Sequence, residues 1–315
     1  MRYLVTGGAG FIGSNIVRTL VRQGHSVRVL DNFATGKNEN LADCASQIEL
    51  VEGDIRDFWT CLDAVEGCDF VLHQAALPSV QRSVANPQTT NEINVGGSLN
   101  MLEAARRHRV KRFVYASSSS VYGDTPTLPK VETMIPNPLS PYATTKLTGE
   151  YYCRNYTQLY GLPTISLRYF NIFGPHQDPN SHYAAVVPRF VIALLEGRQP
   201  TVFGDGEQSR DFTYIENAVQ ANLAACERGT PGGAYNIACG DRFTLNHLLT
   251  VLGEIIGTHV TPVYTDPRPG DIKHSQADIE AARRDLEYHP RVTFEQGLRL
   301  TVDWYRRSAA ITRVS

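Results

Sequence analysis

Short apolar runs recur along the first half of the chain, at residues 3–6, 26–30, 48–51, 70–73, 113–116 and 164–167. Each is too short for a helix and too uniformly apolar for a strand with one wet face, so the pattern predicts central strands of a parallel sheet. Between the runs the period changes. Ile12, Ile16, Val17, Leu20 and Val21 form one apolar stripe on a helix, and Gly24 supplies its C-terminal stop. Strand, helix and strand in alternation over residues 1–172 specify right-handed crossovers and a doubly wound α/β sheet.

After Gly174-Pro175 the texture becomes irregular and punctuated by Pro and Gly. Helices are predicted over 188–195, 217–226 and 245–256, with short strands over 201–203 and 234–237. The expected organisation is a sheet domain over 1–172, to which the segment 212–238 returns. A smaller α/β domain over 173–315 would cap the carboxyl edge of the sheet, where open α/β sheets bind ligands.

Charge then narrows the function classes. Thirty Lys and Arg against 32 Asp and Glu give a net charge of −2, so no basic footprint for nucleic acid is present. No apolar run approaches the roughly 18 residues of a membrane span. The six cysteines form no Cys-x-x-Cys pair and sit near no His cluster, so no metal site or disulfide framework is expected. The chain enters a strand pattern at its first residues, and a cytoplasmic setting is expected.

Gly7-Gly8-Ala9-Gly10-Phe11-Ile12-Gly13 lies between the first strand and the first helix, the context in which glycines serve a dinucleotide. They permit a tight turn and close backbone approach, and they aim the helix N-terminus at a pyrophosphate. Asp31 ends the second strand, where a carboxylate accepts from ribose hydroxyls. No Arg follows it in Asp31-Asn32-Phe33, so NAD is favoured over NADP. Asp54-Ile55 is the expected adenine contact, and Ala75-Ala76 the small floor beneath the dinucleotide.

Tyr142 and Lys146 stand one helical turn apart on a helix opened by Pro141. An ammonium beside a phenol favours the phenolate and lowers its pKa, which makes a Tyr usable as a base. The serine run 117–120, followed by Val121-Tyr122-Gly123, emerges at the carboxyl edge of the fifth strand.

On these residues the chain resembles the extended short-chain dehydrogenase/reductases, in the branch of nucleotide-sugar 4-epimerases. Further motifs carry the resemblance: Asn94-Val95-Gly96-Gly97, the run 167–174, Ser209-Arg210-Asp211-Phe212 and Arg268-Pro269-Gly270-Asp271. It implies a Rossmann domain with tightly bound NAD, with Gly7, Gly10, Phe11, Ile12, Gly13, Asp31, Asn32, Asp54, Ile55, Ala75, Ala76, Asn94, Tyr142, Lys146 and Tyr169 against the cofactor. It makes Tyr142 the catalytic base, Lys146 its partner and Ser118 the hydroxyl on the sugar's O4. Asn171, Arg210 and Arg268 would hold the diphosphate and Asp271 the uridine ribose, with Thr201 and Phe203 beside the uracil. Arg189 is a further cation suited to phosphate.

Related dehydratases and decarboxylases carry acidic groups before Val-Tyr-Gly, where this chain has Ser119 and Ser120, so epimerisation is expected. In the same resemblance the residue before Ala277-Asp278, two positions upstream at Ser275, gates the sugar's 2-substituent, and Ser79, Ser119, Ala185, Val186 and Val187 complete the pocket. A small Ser275 leaves room for an acetamido group, which implies UDP-GlcNAc/UDP-GalNAc, with UDP-Glc/UDP-Gal as a weaker pair. A UDP-glucuronate 4-epimerase and a reductase that releases its cofactor stay open as alternatives. Helices near 89–108 and 142–160 could pair in a homodimer. Pro78 and Glu287 depart from the family pattern, the second at an expected turn.

Overall fold

The computed structural model describes residues 1–179, 185–267 and 272–312. The first half runs β1 (Arg2–Thr6), α1 (Phe11–Arg22), β2 (Ser26–Asp31), β3 (Ile48–Glu52), α2 (Phe58–Val65), β4 (Phe70–His73), α3 (Val80–Ala85) and α4 (Pro87–Asn91). A wide π-helical turn over Glu92–Gly97 leads into α5 (Ser98–Arg107), β5 (Arg112–Ser118), α6 (Pro141–Tyr160) and β6 (Thr164–Tyr169). Then come β7 (Ile172–Phe173), α7 (Val186–Leu195), β8 (Thr201–Phe203), β9 (Ser209–Arg210), β10 (Thr213–Tyr214), α8 (Ile215–Glu227) and β11 (Gly233–Ile237). The chain closes with β12 (Phe243–Thr244), α9 (Leu245–Ile256), β13 (Val263–Thr265), α10 (Glu280–Leu286) and α11 (Phe294–Thr312).

Seven parallel strands form the main sheet in the order β11-β6-β5-β4-β1-β2-β3. The uniform apolar runs follow from its two covered faces. Leu4 and Val5 are neighbours in β1, both fully buried, yet they belong to different cores on opposite faces of the sheet. Strand order reverses between β1 and β4, and the crevice there is the switch point at which such sheets take ligands.

One difference from the sequence pattern has a physical reason. The run at 48–51 forms β3, which is an edge rather than a central strand, and Leu50 is 46% exposed there. Its Glu49 pairs with Arg2 and Arg28, a charged edge that discourages further strand pairing. The strand expected over 234–237 is β11, and it lies in the main sheet beside β6 in parallel register. The intervening α8 packs on α1.

The remaining strands make three small pairs, β7 with β10, β8 with β13 and β9 with β12. Helices α7, α9 and α11 pack on one another behind them. Among the described residues no helix is long and apolar enough to cross a membrane.

Candidate active site

The glycine loop is built by close approach. A Cβ on Gly13 would lie 2.1 Å from the Gly7 carbonyl oxygen, and one on Gly7, whose φ is +64°, would lie 2.7 Å from the Ala75 nitrogen. Gly10 N–H donates to Gly7 O at 3.1 Å and closes the turn. Gly10 also precedes Phe11 and Ile12 at the start of α1 without capping it by a side chain, so the first-turn N–H groups keep donors for a ligand.

Asp31 sits beside this turn, buried at the end of β2. Its Oδ2 accepts from Ala9 N at 2.9 Å and its Oδ1 from Phe33 N at 2.8 Å. Burial raises its pKa, while those backbone donors oppose the rise. Each oxygen keeps a lone pair for a further donor. Asn32 donates to Asp54 at 2.9 Å, and Arg56 clamps the same carboxylate, holding its pKa near 2. The next residue, Ile55, is buried under Gly97. The small residues leave open space at the start of α1, and Asp31 sets a carboxylate beside it.

Helix α6 opens on Ser140, whose Oγ accepts from Ala143 N at 3.1 Å, with Pro141 next in line. The helix carries Tyr142 and Lys146 on one face. Lys146 Nζ lies 5.8 Å from the Tyr142 ring centroid and donates to the Ala116 carbonyl at 2.8 Å. Burial brings this ammonium down to about 8. Burial pushes Tyr142 up, and a hydrogen bond from Ser118 opposes that shift. Ser118 Oγ in turn accepts from Ser120 N at 3.2 Å and from Ser120 Oγ at 2.9 Å. Ser119 opens the short 3-10 turn Ser119–Tyr122 that arranges this.

Sequence reasoning missed Ser120, and it missed Tyr115, whose ring centroid is 5.2 Å from Lys146 Nζ. It also missed His73, which is fully buried between Thr6 Oγ1 at 2.7 Å and Ser98 Oγ at 2.9 Å. Burial and the neighbouring Lys146 charge hold His73 near 3, so it is neutral. Asn94, on the π turn, brackets Leu77 by accepting from its N–H at 2.7 Å and donating to its carbonyl at 3.2 Å, and it donates to Thr145 Oγ1 at 3.1 Å. Tyr169 reaches Gln74 and Asn222 through its hydroxyl. Ala76 follows Ala75 after β4.

A second pocket brings together Asn171, Ala185, Val186, Val187, Arg189, Thr201, Phe203 and Arg210, all chosen from sequence. Phe190, Gln208, Phe212 and Leu245 also line it. Sequence reasoning did not choose them, although Gln208 stands two residues before Arg210. The Arg189 guanidinium lies 5.4 Å over the Phe203 ring. Asn171 is held at φ +39° and donates to Asp211 O at 3.3 Å. Arg210 donates to Ser209 O at 2.9 Å and Lys273 O at 3.1 Å.

Ser275 lies beside Arg210 because its N–H donates to Ser209 O at 3.0 Å. Asp211 ties this corner together by accepting from Cys239, Gly240 and Ala277 N–H groups at 2.9, 3.1 and 3.2 Å. Burial raises its carboxyl to about 7. Ser79 caps α3, accepting from Arg82 N at 3.3 Å. Arg268 and Asp271 lie outside the described residues.

A doubly wound sheet with a glycine cradle, a half-buried Tyr beside a buried Lys, and an Arg-bearing pocket defines a dinucleotide-dependent enzyme. Residues 3–238 match the NAD dependent epimerase/dehydratase family, and the chain belongs to it. It is 38% identical over 313 residues to the UDP-glucose 4-epimerase of Mycolicibacterium smegmatis, covering 98% of this chain and 100% of that one. The Thermotoga maritima UDP-glucose 4-epimerase with UDP-glucose superposes with a TM-score of 0.94 at 39% identity, covering 98% of this chain and 100% of the other. The UDP-N-acetylglucosamine 4-epimerase of Methanobrevibacter ruminantium M1, in complex with UDP-N-acetylmuramic acid, gives 0.93 at 40% identity, covering 98% of both chains.

Proposed function

We propose that the protein interconverts the C4 epimers of a UDP-hexose through a 4-keto sugar, acting on UDP-GlcNAc and UDP-GalNAc. The observation that carries this reading is the placement of the Lys146 ammonium 5.8 Å from the Tyr142 ring on one face of α6, in a chain that also builds a glycine cradle and an Arg-bearing pocket.

Tyr142 takes the O4 proton, with Ser118 hydrogen-bonded to the same oxygen, because the Lys146 charge stabilises the phenolate that must form first. NAD, when bound, would supply the hydride chemistry at C4. Gly7, Gly10, Phe11, Ile12 and Gly13 would hold its pyrophosphate, Asp31 and Asn32 its adenosine ribose, and Asp54 and Ile55 its adenine. Ala75, Ala76, Asn94 and Tyr169 would line its path to Lys146. Asn171, Arg189 and Arg210 would grip the sugar nucleotide's diphosphate, with Thr201 and Phe203 at the base. Ser79, Ser119, Ala185, Val186, Val187 and Ser275 would face the sugar.

The test is equilibration of UDP-Glc, UDP-GlcNAc and UDP-GlcA with the purified protein in the absence of added NAD+. Conversion of UDP-GlcNAc to its C4 epimer supports the reading. A requirement for stoichiometric NAD+ with release of a keto product, or turnover of UDP-GlcA alone, overturns it.

A further inference from the structure

Behind the Tyr–Lys pair lies an ion pair to which the reaction above gives no role. Glu150 stands two turns beyond Tyr142 on the same face of α6. It is 7% exposed, and Arg168, near the end of β6, is 5% exposed. Arg168 clamps it with both arms, Nε to Oε1 at 2.9 Å and Nη2 to Oε2 at 2.7 Å. Such a pair is expensive to bury, and replacing it by apolar groups of similar volume is often neutral or stabilising. Stability alone gives a weak reason for it.

Its connections give a better one. Ser117 Oγ donates to Glu150 Oε1, so the carboxylate grips the residue immediately before Ser118. Arg168 Nη1 donates to Tyr122 OH at 2.8 Å, at the far end of the serine run. Tyr122 OH donates to Asn236 Oδ1 at 2.7 Å, and Asn236 Nδ2 donates to the carbonyls of Lys130 at 2.9 Å and Asp278 at 3.0 Å. The segment 117–122 is therefore held at both ends by one buried pair, and the same network reaches the stretch that carries Ser275.

We propose that Glu150, with Arg168, is a positioning residue: it fixes Ser117 and so aims the Ser118 hydroxyl at Tyr142. The inference rests on the Tyr142 and Ser118 roles given above. It predicts that Ser117 needs an acceptor at position 150, whether or not that acceptor is charged.

Two double variants isolate this. E150Q/R168M and E150L/R168M both remove the buried charges, but only the first keeps an acceptor for Ser117. Ser117→Ala deletes the same bond while leaving the ion pair whole, and it decides the matter if either double variant fails to fold. Two quantities are measured: kcat and KM for UDP-hexose epimerisation, and the ionisation of Tyr142, read as near-ultraviolet phenolate absorbance against the matching Tyr142→Phe protein. E150L/R168M and Ser117→Ala should lose at least 10-fold in kcat with KM within threefold, and Tyr142 should ionise at least one pH unit higher. E150Q/R168M, which gives up the Arg168 hold on Tyr122 but keeps the Ser117 acceptor, should keep the parent's Tyr142 titration and at least fivefold more kcat than E150L/R168M. Equal loss in the two double variants, or an unmoved Tyr142 titration in Ser117→Ala, overturns the proposal. Should the parent protein convert no UDP-hexose, the proposed function fails, and the titration still decides the positioning role.

Discussion

Lys146 Nζ donates to the Ala116 carbonyl at 2.8 Å, two residues upstream of Ser118, so the ammonium and the Ser118 hydroxyl are indexed to the same strand end. The geometry keeps a buried charge 5.8 Å from the Tyr142 ring at the expense of its hydration. Lys146→Met should therefore lower kcat by at least about 100-fold, the range of a lost acid–base partner.

The same substitution should stabilise the cofactor-free protein. Lys146 has its folded-state pKa brought down from 10.5 to about 8, so between those values the unfolded chain binds the extra proton. The stability of the parent then rises with pH across that window and carries a constant penalty below it. Melts of the two proteins should show the Met variant more stable at pH 7, with the gap closing toward pH 10.5.

Gly13→Ala tests the cradle. Its Cβ would sit 2.1 Å from Gly7 O, and the obstacle is backbone that cannot rotate away. The variant should lose more than about 2 kcal/mol of stability, as strained or overpacked sites do. It should also purify with little bound NAD, measured as dinucleotide released per chain.

Ser275→Tyr tests the sugar gate. Ser275 is anchored by its backbone to Ser209, so a larger side chain cannot be accommodated by shifting this stretch without breaking that bond. UDP-GlcNAc turnover should fall at least about 10-fold relative to UDP-Glc, the scale of a steric discrimination worth more than 1.4 kcal/mol. Equal losses for both sugars would remove Ser275 from the gate.

Glu287 occupies the left-handed position after α10, with φ +53°. Its exposed bond to Arg228 at 3.1 Å contributes little, whereas a side chain in this conformation costs about 1 kcal/mol or more. Glu287→Gly should raise the melting temperature by a few degrees with kcat unchanged.

Most of the frame was legible because covered parallel strands leave uniform apolar runs, and these marked β1, β2, β4, β5 and β6. The edge position of β3 was not legible, since Ile48, Leu50 and Val51 look the same whether or not a further strand lies beyond them. Tyr142 and Lys146 were legible from local spacing, and Ser118 from its place after a strand. His73 and the Glu150–Arg168 pair were not, because their roles arise from partners brought together by the fold. Glu150 and Arg168 are 18 residues apart, and nothing local to either indicates the other.

The π turn over Glu92–Gly97 fits more chain into a turn than the α-helices on either side of it. Asn94 rides on that surplus while it holds both Leu77 and Thr145. Deleting one residue from 92–97 would let the segment relax to a regular helix and turn Asn94 by roughly 100° relative to α5. Leu77, in the loop after β4, and Thr145, next to Lys146, would then lose their common tether although no side chain at either end had changed. In this part of the molecule the spacing of the site is encoded as an insertion, in the count of residues as much as in their identity.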